Sequence, residues 1–314
     1  MERYLGEQIP KLGFGLMRLP MAGEEVDIEE TKQMVDAFME KGFCYFDFYL
    51  LHNLGEKRTH FFDDYDIWNF LARKKEEGLI RHLGFSFHDK AKLLDELLTK
   101  HPEMEFVQLQ INYADWEEPT IESRKCYEVA RKHGKPVIIM EPVKGGNLAA
   151  PPQSVRELFE KVNPGASPSS WAIRYAASLE GIITVLSGMS NMQQMMDNLS
   201  YMEDFHPLNQ EEKQTIVRAR GILDSIPTVP CTACAYCMKG CPQNIAIYGT
   251  FQSVNIYNLY DNLEAARGKY AWHTEGQGLK KASECIGCGQ CEEVCPQHIS
   301  IRKELERAAE VLER

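Results

Sequence analysis

No stretch of this chain is apolar for long enough to cross a bilayer. The opening MERYLGEQIPKLGFGLMRLP holds no continuous apolar run of signal-peptide type. A basic segment is missing too. Lys and Arg number 35 against 46 Asp and Glu, the net charge is −11, and the cations are dispersed rather than massed. That argues against nucleic acid or an anionic membrane as a partner. Nothing suggests export to an oxidising compartment, so a cytoplasmic protein with reduced thiols is expected. Cysteine is sparse outside two short runs, where only Cys44 and Cys126 occur.

Those two runs repeat one pattern. The first is Cys231-x-x-Cys234-x-x-Cys237-x-x-x-Cys241-Pro242, and the second is Cys285-x-x-Cys288-x-x-Cys291-x-x-x-Cys295-Pro296. Three thiolates at every third position can wrap one corner of an iron–sulfur cube. The fourth, leaving just before a proline, reaches across to the other cube. This groups Cys231, Cys234, Cys237 and Cys295 around one [4Fe–4S] cluster, and Cys285, Cys288, Cys291 and Cys241 around a second. Structural zinc is the alternative. It usually wants two separated Cys-x-x-Cys pairs, which leaves the surplus cysteine of each run without a role.

Ahead of the runs, strand and helix patterns alternate. Strands are expected at 11–17, 44–51, 79–87, 106–113, 136–143 and 182–187. Between them, helices are expected after Asp27 (a capping box with Glu30), over 64–77, 89–100 and 121–133, from Ser167-Pro168 over 167–180, and near 191–203. Such alternation means parallel strands with helical crossovers, and polar and glycine residues gather after the strands' carboxyl ends. A charged helix near 209–223 and the prolines of DSIPTVP mark a boundary. The C-terminal ISIRKELERAAEVLER is an amphipathic helix with Ile301, Leu305, Ala308 and Leu312 on one side.

The segments IPKLGFGLMRLP, YFDFYLLHNL, LGFSFHD, QLQINYAD, IIMEPVKGGNL and VLSGMSNMQQMMDNL, with the double cysteine run behind them, resemble the iron–sulfur branch of the aldo/keto reductase family. The resemblance implies a TIM-type (β/α) barrel that binds NADP across its carboxyl face and transfers hydride between nicotinamide and a carbonyl or alcohol. Only six strands are present where that barrel has eight, so about two βα units are missing. The motif Tyr45-Phe46-Asp47 looks like the seam where the family's second strand passes directly into its fourth. That seam removes the family's catalytic tyrosine and lysine. Arg18 is a further candidate near the cofactor or substrate.

Carried over residue by residue, the resemblance makes His52 the catalytic histidine after the fourth strand. Asp47, five residues earlier, faces the opposite way on a regular strand. Ser86 and Gln110 match the holders of the nicotinamide amide, and Met140 stands under the ring. Gly188, Ser190, Gln194 and Asn198 match the loop and helix start that receive the ribose phosphate and adenine. Ser190 replaces a common cation there, so NADP(H) and NAD(H) both stay open.

The implied organisation is an incomplete barrel over 1–205, a helix and linker over 206–230, and a small ferredoxin-like α-helical domain for two [4Fe–4S] clusters over 231–314. The implied partners are a small-molecule carbonyl or alcohol and, through the clusters, a redox protein. The expectation is an oxidoreductase impaired in carbonyl chemistry, or alternatively an electron carrier attached to a silent barrel remnant.

Overall fold

A computed structural model of the chain describes residues 12–15, 20–22, 25–41, 48–78 and 80–314. It divides into two compact units, residues 1–149 with 159–217, and residues 150–158 with 218–314. The Tyr45-Phe46-Asp47 seam and Arg18 lie outside the described residues. No helix among the described residues is long and apolar enough to cross a membrane.

The first unit begins with β1 (Leu12–Gly15), followed by a short antiparallel ribbon of β2 (Met21–Ala22) and β3 (Glu25–Val26) that the sequence pattern does not announce. Helix α1 (Ile28–Glu40) starts at the expected cap. Asp27 Oδ1 accepts the Glu30 N–H at 2.9 Å, satisfying a donor that the first turn leaves open. Next come β4 (Phe48–Leu54), α2 (Thr59–Asp64), α3 (Ile67–Glu76) and β5 (His82–Phe87). They are followed by α4 (Ala91–Lys100), β6 (Phe106–Gln110), α5 (Ser123–Lys132) and β7 (Val137–Met140). The series ends with α6 (Gln153–Val162), α7 (Pro168–Ala177), β8 (Ile182–Gly188), α8 (Met192–Met202) and α9 (Gln210–Ser225). The division between the units passes through α6 and α9. Ser167 caps α7 as expected, its Oγ accepting the Ser170 N–H at 3.1 Å, with Pro168 at the first helical position.

Six strands form one parallel sheet in the order β1-β8-β7-β6-β5-β4. This is the order expected of a (β/α) barrel short of about two units. Among the described residues β1 and β4 each have one neighbour, so the sheet keeps two edges. Closure links strand number, tilt and shear, and removing two strands removes the geometry that lets the edges meet.

Four elements depart from the expected boundaries. β4 extends to Leu54 rather than ending at residue 51, so His52 and Asn53 sit within the strand instead of following it. β6 and β7 stop early, the latter where Glu141 takes a φ of 57°. The helix expected over 64–77 breaks at Tyr65 and Asp66, Asp66 having a φ of 51°.

The pleat sorts the side chains. Leu51, Phe85, Leu109, Ile139 and Val185 pack against helix residues including Leu94, Ala130, Ile173 and Met195. On the other face Phe48, Leu50, Phe106, Ile138 and Leu186 form an apolar floor, joined by Ile183 where the β7–β8 register shifts and breaks the alternation. Gly84 lies on that floor because a Cβ there would approach the Phe106 carbonyl oxygen to 2.4 Å.

In the second unit the spacer between the cysteine runs folds into α11 (Ile247–Tyr260) and α12 (Leu263–His273). The runs themselves hold short helices, α10 (Tyr236–Lys239) and α13 (Gln290–Glu293). Helix α14 (Ile301–Leu312) buries Ile301, Leu305, Ala308 and Leu312, the face read from its pattern. These elements share one core with several of the cysteines. Side chains pin the entrance of each run. Asn255 accepts the Val229 N–H and donates to its carbonyl, both at 2.8 Å. Tyr270 accepts the Ala282 N–H and donates to Glu313, each at 2.6 Å.

Candidate functional site

The eight cysteines of the two runs surround two hollows. Cys231, Cys234, Cys237 and Cys295 line one of about 310 Å³, with Phe251, Pro296, Ile299 and Ile301 in its wall. Cys241, Cys285, Cys288 and Cys291 line the other, of about 330 Å³, with Pro242, Ile245, Ile247 and Leu305. Each hollow therefore takes three sulfurs from one run and its fourth from the other. Among the described residues no group of three or more His, Cys, Asp or Glu closes on a single ion. Four sulfurs in mainly apolar walls, with Thr232 and Gln297 in one lining and Gln243 in the other, are the donor set that a [4Fe–4S] cube takes, so the residues fit that group.

The chain reaches this arrangement by repeating one backbone course. Ala233, Ala235 and Asn244 have positive φ, and so do their counterparts Gly287, Gly289 and His298. The Ile247 N–H bonds to the Ile245 carbonyl at 2.8 Å, and the Ile301 N–H to the Ile299 carbonyl at 2.8 Å. After each run the chain thus turns alike and drops two isoleucines onto the hollow served by the other run. Burial pushes the Cys237 thiol up to about 12 and the Cys291 thiol up to about 11. Metal charge would be needed to make thiolates of these sulfurs, so binding a cluster there would release protons.

The residues expected around nicotinamide lie at the carboxyl end of the apolar floor. Strand pairing sets Ser86 beside Gln108, and Gln110 beside Met140, while His52 shares strand parity with Phe48 and Leu50. The register slips between Leu51 and Leu54, where Asn53 takes a φ of 60° and its N–H donates to Ser86 Oγ at 2.6 Å. Parity across β4 is therefore irregular, and Asp47 lies outside the described residues. His52 is exposed, and near it His88 is held below the ordinary histidine range by desolvation, then by the charges of His52 and Arg58.

Ser86 is fully buried and keeps its hydroxyl proton to donate. Gln110 donates through Nε2 to Asp115 at 3.0 Å and keeps Oε1 to accept. The two residues lie on adjacent strands, Ser86 in register with Gln108, two residues before Gln110. A hollow of about 500 Å³ includes Gln110, but its other walls (Phe87, His88, Asp89, Leu109, Thr120, Ile121, Ser123 and Cys126) contain no other nominated residue.

At the β1–β8 end, Gly188 stands in register with Gly15. The Ser190 N–H donates to Gln194 Oε1 at 2.7 Å, and Asn191 caps α8 by accepting the Gln194 N–H at 3.0 Å. Asn198 is buried, donating to Ser187 Oγ at 2.9 Å and accepting from the Tyr201 hydroxyl. Its amide braces β8 against α8, whereas Gly188 is exposed.

Sequence reasoning missed the ion pair beside Gln110. Asp115 is 1% exposed and accepts from Lys144 Nζ, Gln110 and Asn112, while its own N–H donates to Asn112 Oδ1 at 2.8 Å. Lys144 is itself in a positive-φ conformation. The paired amides of QLQIN, with an Asp three residues past the Asn, were the available signal. The lysine lies on another loop and had none.

Comparison with family models matches residues 44–220 to the aldo/keto reductase family and residues 230–300 to a 4Fe-4S dicluster domain. No curated protein matches the chain. Among solved structures, the apo aldo-keto reductase AKR11C1 from Bacillus halodurans is 20% identical, with a TM-score of 0.43, covering 60% of this chain and 67% of its own. The glycerol dehydrogenase AKR11B4 from Gluconobacter oxydans is 17% identical, with a TM-score of 0.45 and coverage of 64% and 66%. An aldo/keto reductase from Klebsiella pneumoniae in complex with NADP and acetate is 16% identical, with a TM-score of 0.43 and coverage of 60% and 63%. The chain spans about two thirds of the length of these solved relatives. The two domains together support an oxidoreductase or electron-transfer role. With that match running over more than half of its length, the chain belongs to the aldo/keto reductase family.

Proposed function

We propose that this protein is an iron–sulfur oxidoreductase in which Cys231, Cys234, Cys237 and Cys295 hold one [4Fe–4S] cluster, and Cys285, Cys288, Cys291 and Cys241 hold a second. The observation that carries the reading is the crossed origin of the sulfurs around each hollow. A bound [4Fe–4S] cluster takes up and returns one electron at a time. The chain supplies the ligands, and the isoleucine, phenylalanine and proline walls exclude water. NAD(P)(H) belongs on the sheet face that carries Ser86, Gln110 and Met140, with its phosphate and adenine toward Gly188, Ser190, Gln194 and Asn198. His52 orients the oxygen of a small carbonyl or alcohol. We further assign residues 1–205 to the nucleotide-binding part, 206–230 to a joining helix and linker, and 231–314 to the cluster part.

Carbonyl turnover is weak in this reading. The family's tyrosine proton donor and its lysine have no counterpart at the seam, and losing a general acid costs roughly 10²–10⁴-fold. Anaerobic protein is to be offered NADPH with a panel of carbonyls while cluster absorbance is followed. Bleaching on NADPH addition, with slow carbonyl loss, is expected. Absence of both nucleotide binding and bleaching overturns the oxidoreductase reading.

A second reading, an electron carrier with a silent nucleotide-binding part, is favoured by one observation. Both side-chain polar atoms of Asn198 are spent on the chain's own Ser187 and Tyr201, and the Gln194 Oε1 on the Ser190 N–H. Cluster reduction by a one-electron donor, without any NADPH binding, selects it.

A further inference from the structure

The two hollows follow one backbone course, and one feature breaks their likeness. Arg302 of α14 donates from Nε and Nη2 to Glu292 Oε2, at 3.1 and 2.9 Å, and from its backbone N–H to Glu292 Oε1 at 2.9 Å. Its Nη1 reaches the Gly287 carbonyl at 3.4 Å, and its guanidinium lies 3.7 Å from where a Cβ on Gly289 would be. The guanidinium therefore spans the loop from Cys285 to Cys291. At the counterpart positions in the other half stand Tyr248 and Met238, neither of them charged at neutral pH. Tyr248 packs edge-on against His273 instead, with ring centroids 5.5 Å apart. The remaining charged counterparts are Lys239 in the first run and Glu293 in the second, both exposed.

We infer that Arg302, oriented by Glu292, is a positioning residue that sets the reduction potential of the cluster held by Cys241, Cys285, Cys288 and Cys291, and of that cluster alone. The inference rests on the two-cluster reading above. When a one-electron donor such as dithionite is oxidised and its electron enters a cluster, that cluster gains one negative charge. A fixed cation within reach of its sulfurs favours the reduced form, and a fixed anion disfavours it. Arginine keeps its charge at any pH the protein tolerates, so the contribution is permanent. The fork to Glu292 holds the cation on the loop and partly offsets it. Removing either partner therefore moves the potential in the opposite direction to removing the other.

The test uses anaerobically prepared full-length holoprotein, with iron and acid-labile sulfide measured first and both midpoint potentials followed by electron paramagnetic resonance. Arg302→Gln is expected to lower one midpoint potential, cutting the reduced-to-oxidised ratio at a fixed poise by about three- to tenfold, and to leave the other in place. Glu292→Gln raises the same potential. Arg302→Lys keeps the charge without the planar fork and stays near wild type. A purely structural clamp would change cluster retention in Arg302→Gln and Arg302→Lys alike, without opposite shifts in Arg302→Gln and Glu292→Gln. Fully loaded Arg302→Gln with both potentials unmoved, or both moved together, overturns the inference. Wild-type protein that binds no iron and sulfide overturns the cluster reading and this inference with it. Should Arg302→Gln lose its cluster, the sign of the Glu292→Gln shift decides.

Discussion

His273 is 3% exposed, and neither of its ring nitrogens has a hydrogen-bond partner among the described residues. It lies where α12 comes so close to α11 that a Cβ on Gly249 would meet the ring at 2.4 Å. Burial, then the Lys269 charge, pushes its pKa down to about 4 from an ordinary 6.5. The unfolded chain therefore takes up a proton below pH 6.5, while the folded chain refuses it until about pH 4. Stability from the neutral ring is complete above pH 6.5 and is lost as the pH falls from there toward 4. By pH 5 the loss is about 2 kcal/mol. Denaturant midpoints at pH 7 and pH 5 should thus differ more in the wild type than in His273→Phe. Equal pH slopes in the two proteins would contradict the assignment. Cys126, also buried and pushed up to about 12 by desolvation, is expected to stay an inert core thiol.

At the scale of elements, α9 is anchored by a buried fork. Arg174 of α7 donates to Glu212 at 2.6 and 3.0 Å, and the Asn209 N–H also bonds to that carboxylate at 2.9 Å. These bonds hold the Glu212 carboxyl below its usual range against the opposing effect of burial. Glu212→Ala strands the Arg174 guanidinium in a nearly dry site, and about 3–5 kcal/mol of stability should be lost in equilibrium unfolding. A change below 1 kcal/mol would show the pair to be incidental. Caps such as Asp27 and Ser167 were legible because a cap and its partner lie three residues apart. The six strands were legible for a similar reason, each being a short apolar run between turn residues. The slip in β4 was not, since it depends on Ser86, far along the chain, receiving the Asn53 N–H. Nor was the Asp115–Lys144 pair, whose members belong to separate loops. The grouping of the cysteines around the two hollows was legible because their spacing is local and repeated, whereas the nominated nucleotide residues are scattered over four strands, a loop and a helix.

For the molecule as a whole, the central claim is that the two cysteine runs hold two [4Fe–4S] clusters, exchanging their fourth ligands. Cys241→Ser, a change in the first run, should degrade the cluster held mainly by the second run and spare the one completed by Cys295. A spectrum in which the Cys231-Cys234-Cys237 cluster disappears instead would reverse the ligand assignment. The six-stranded sheet adds a consequence of its own. With β1 and β4 each paired on one side only among the described residues, and Tyr49 exposed on β4, association through sheet edges is the hazard this fold has to manage. The most direct measurement is the metal and sulfide content of anaerobically purified full-length protein. The account predicts about eight irons and about eight acid-labile sulfides per chain. Zinc in their place, or iron without sulfide, would contradict it.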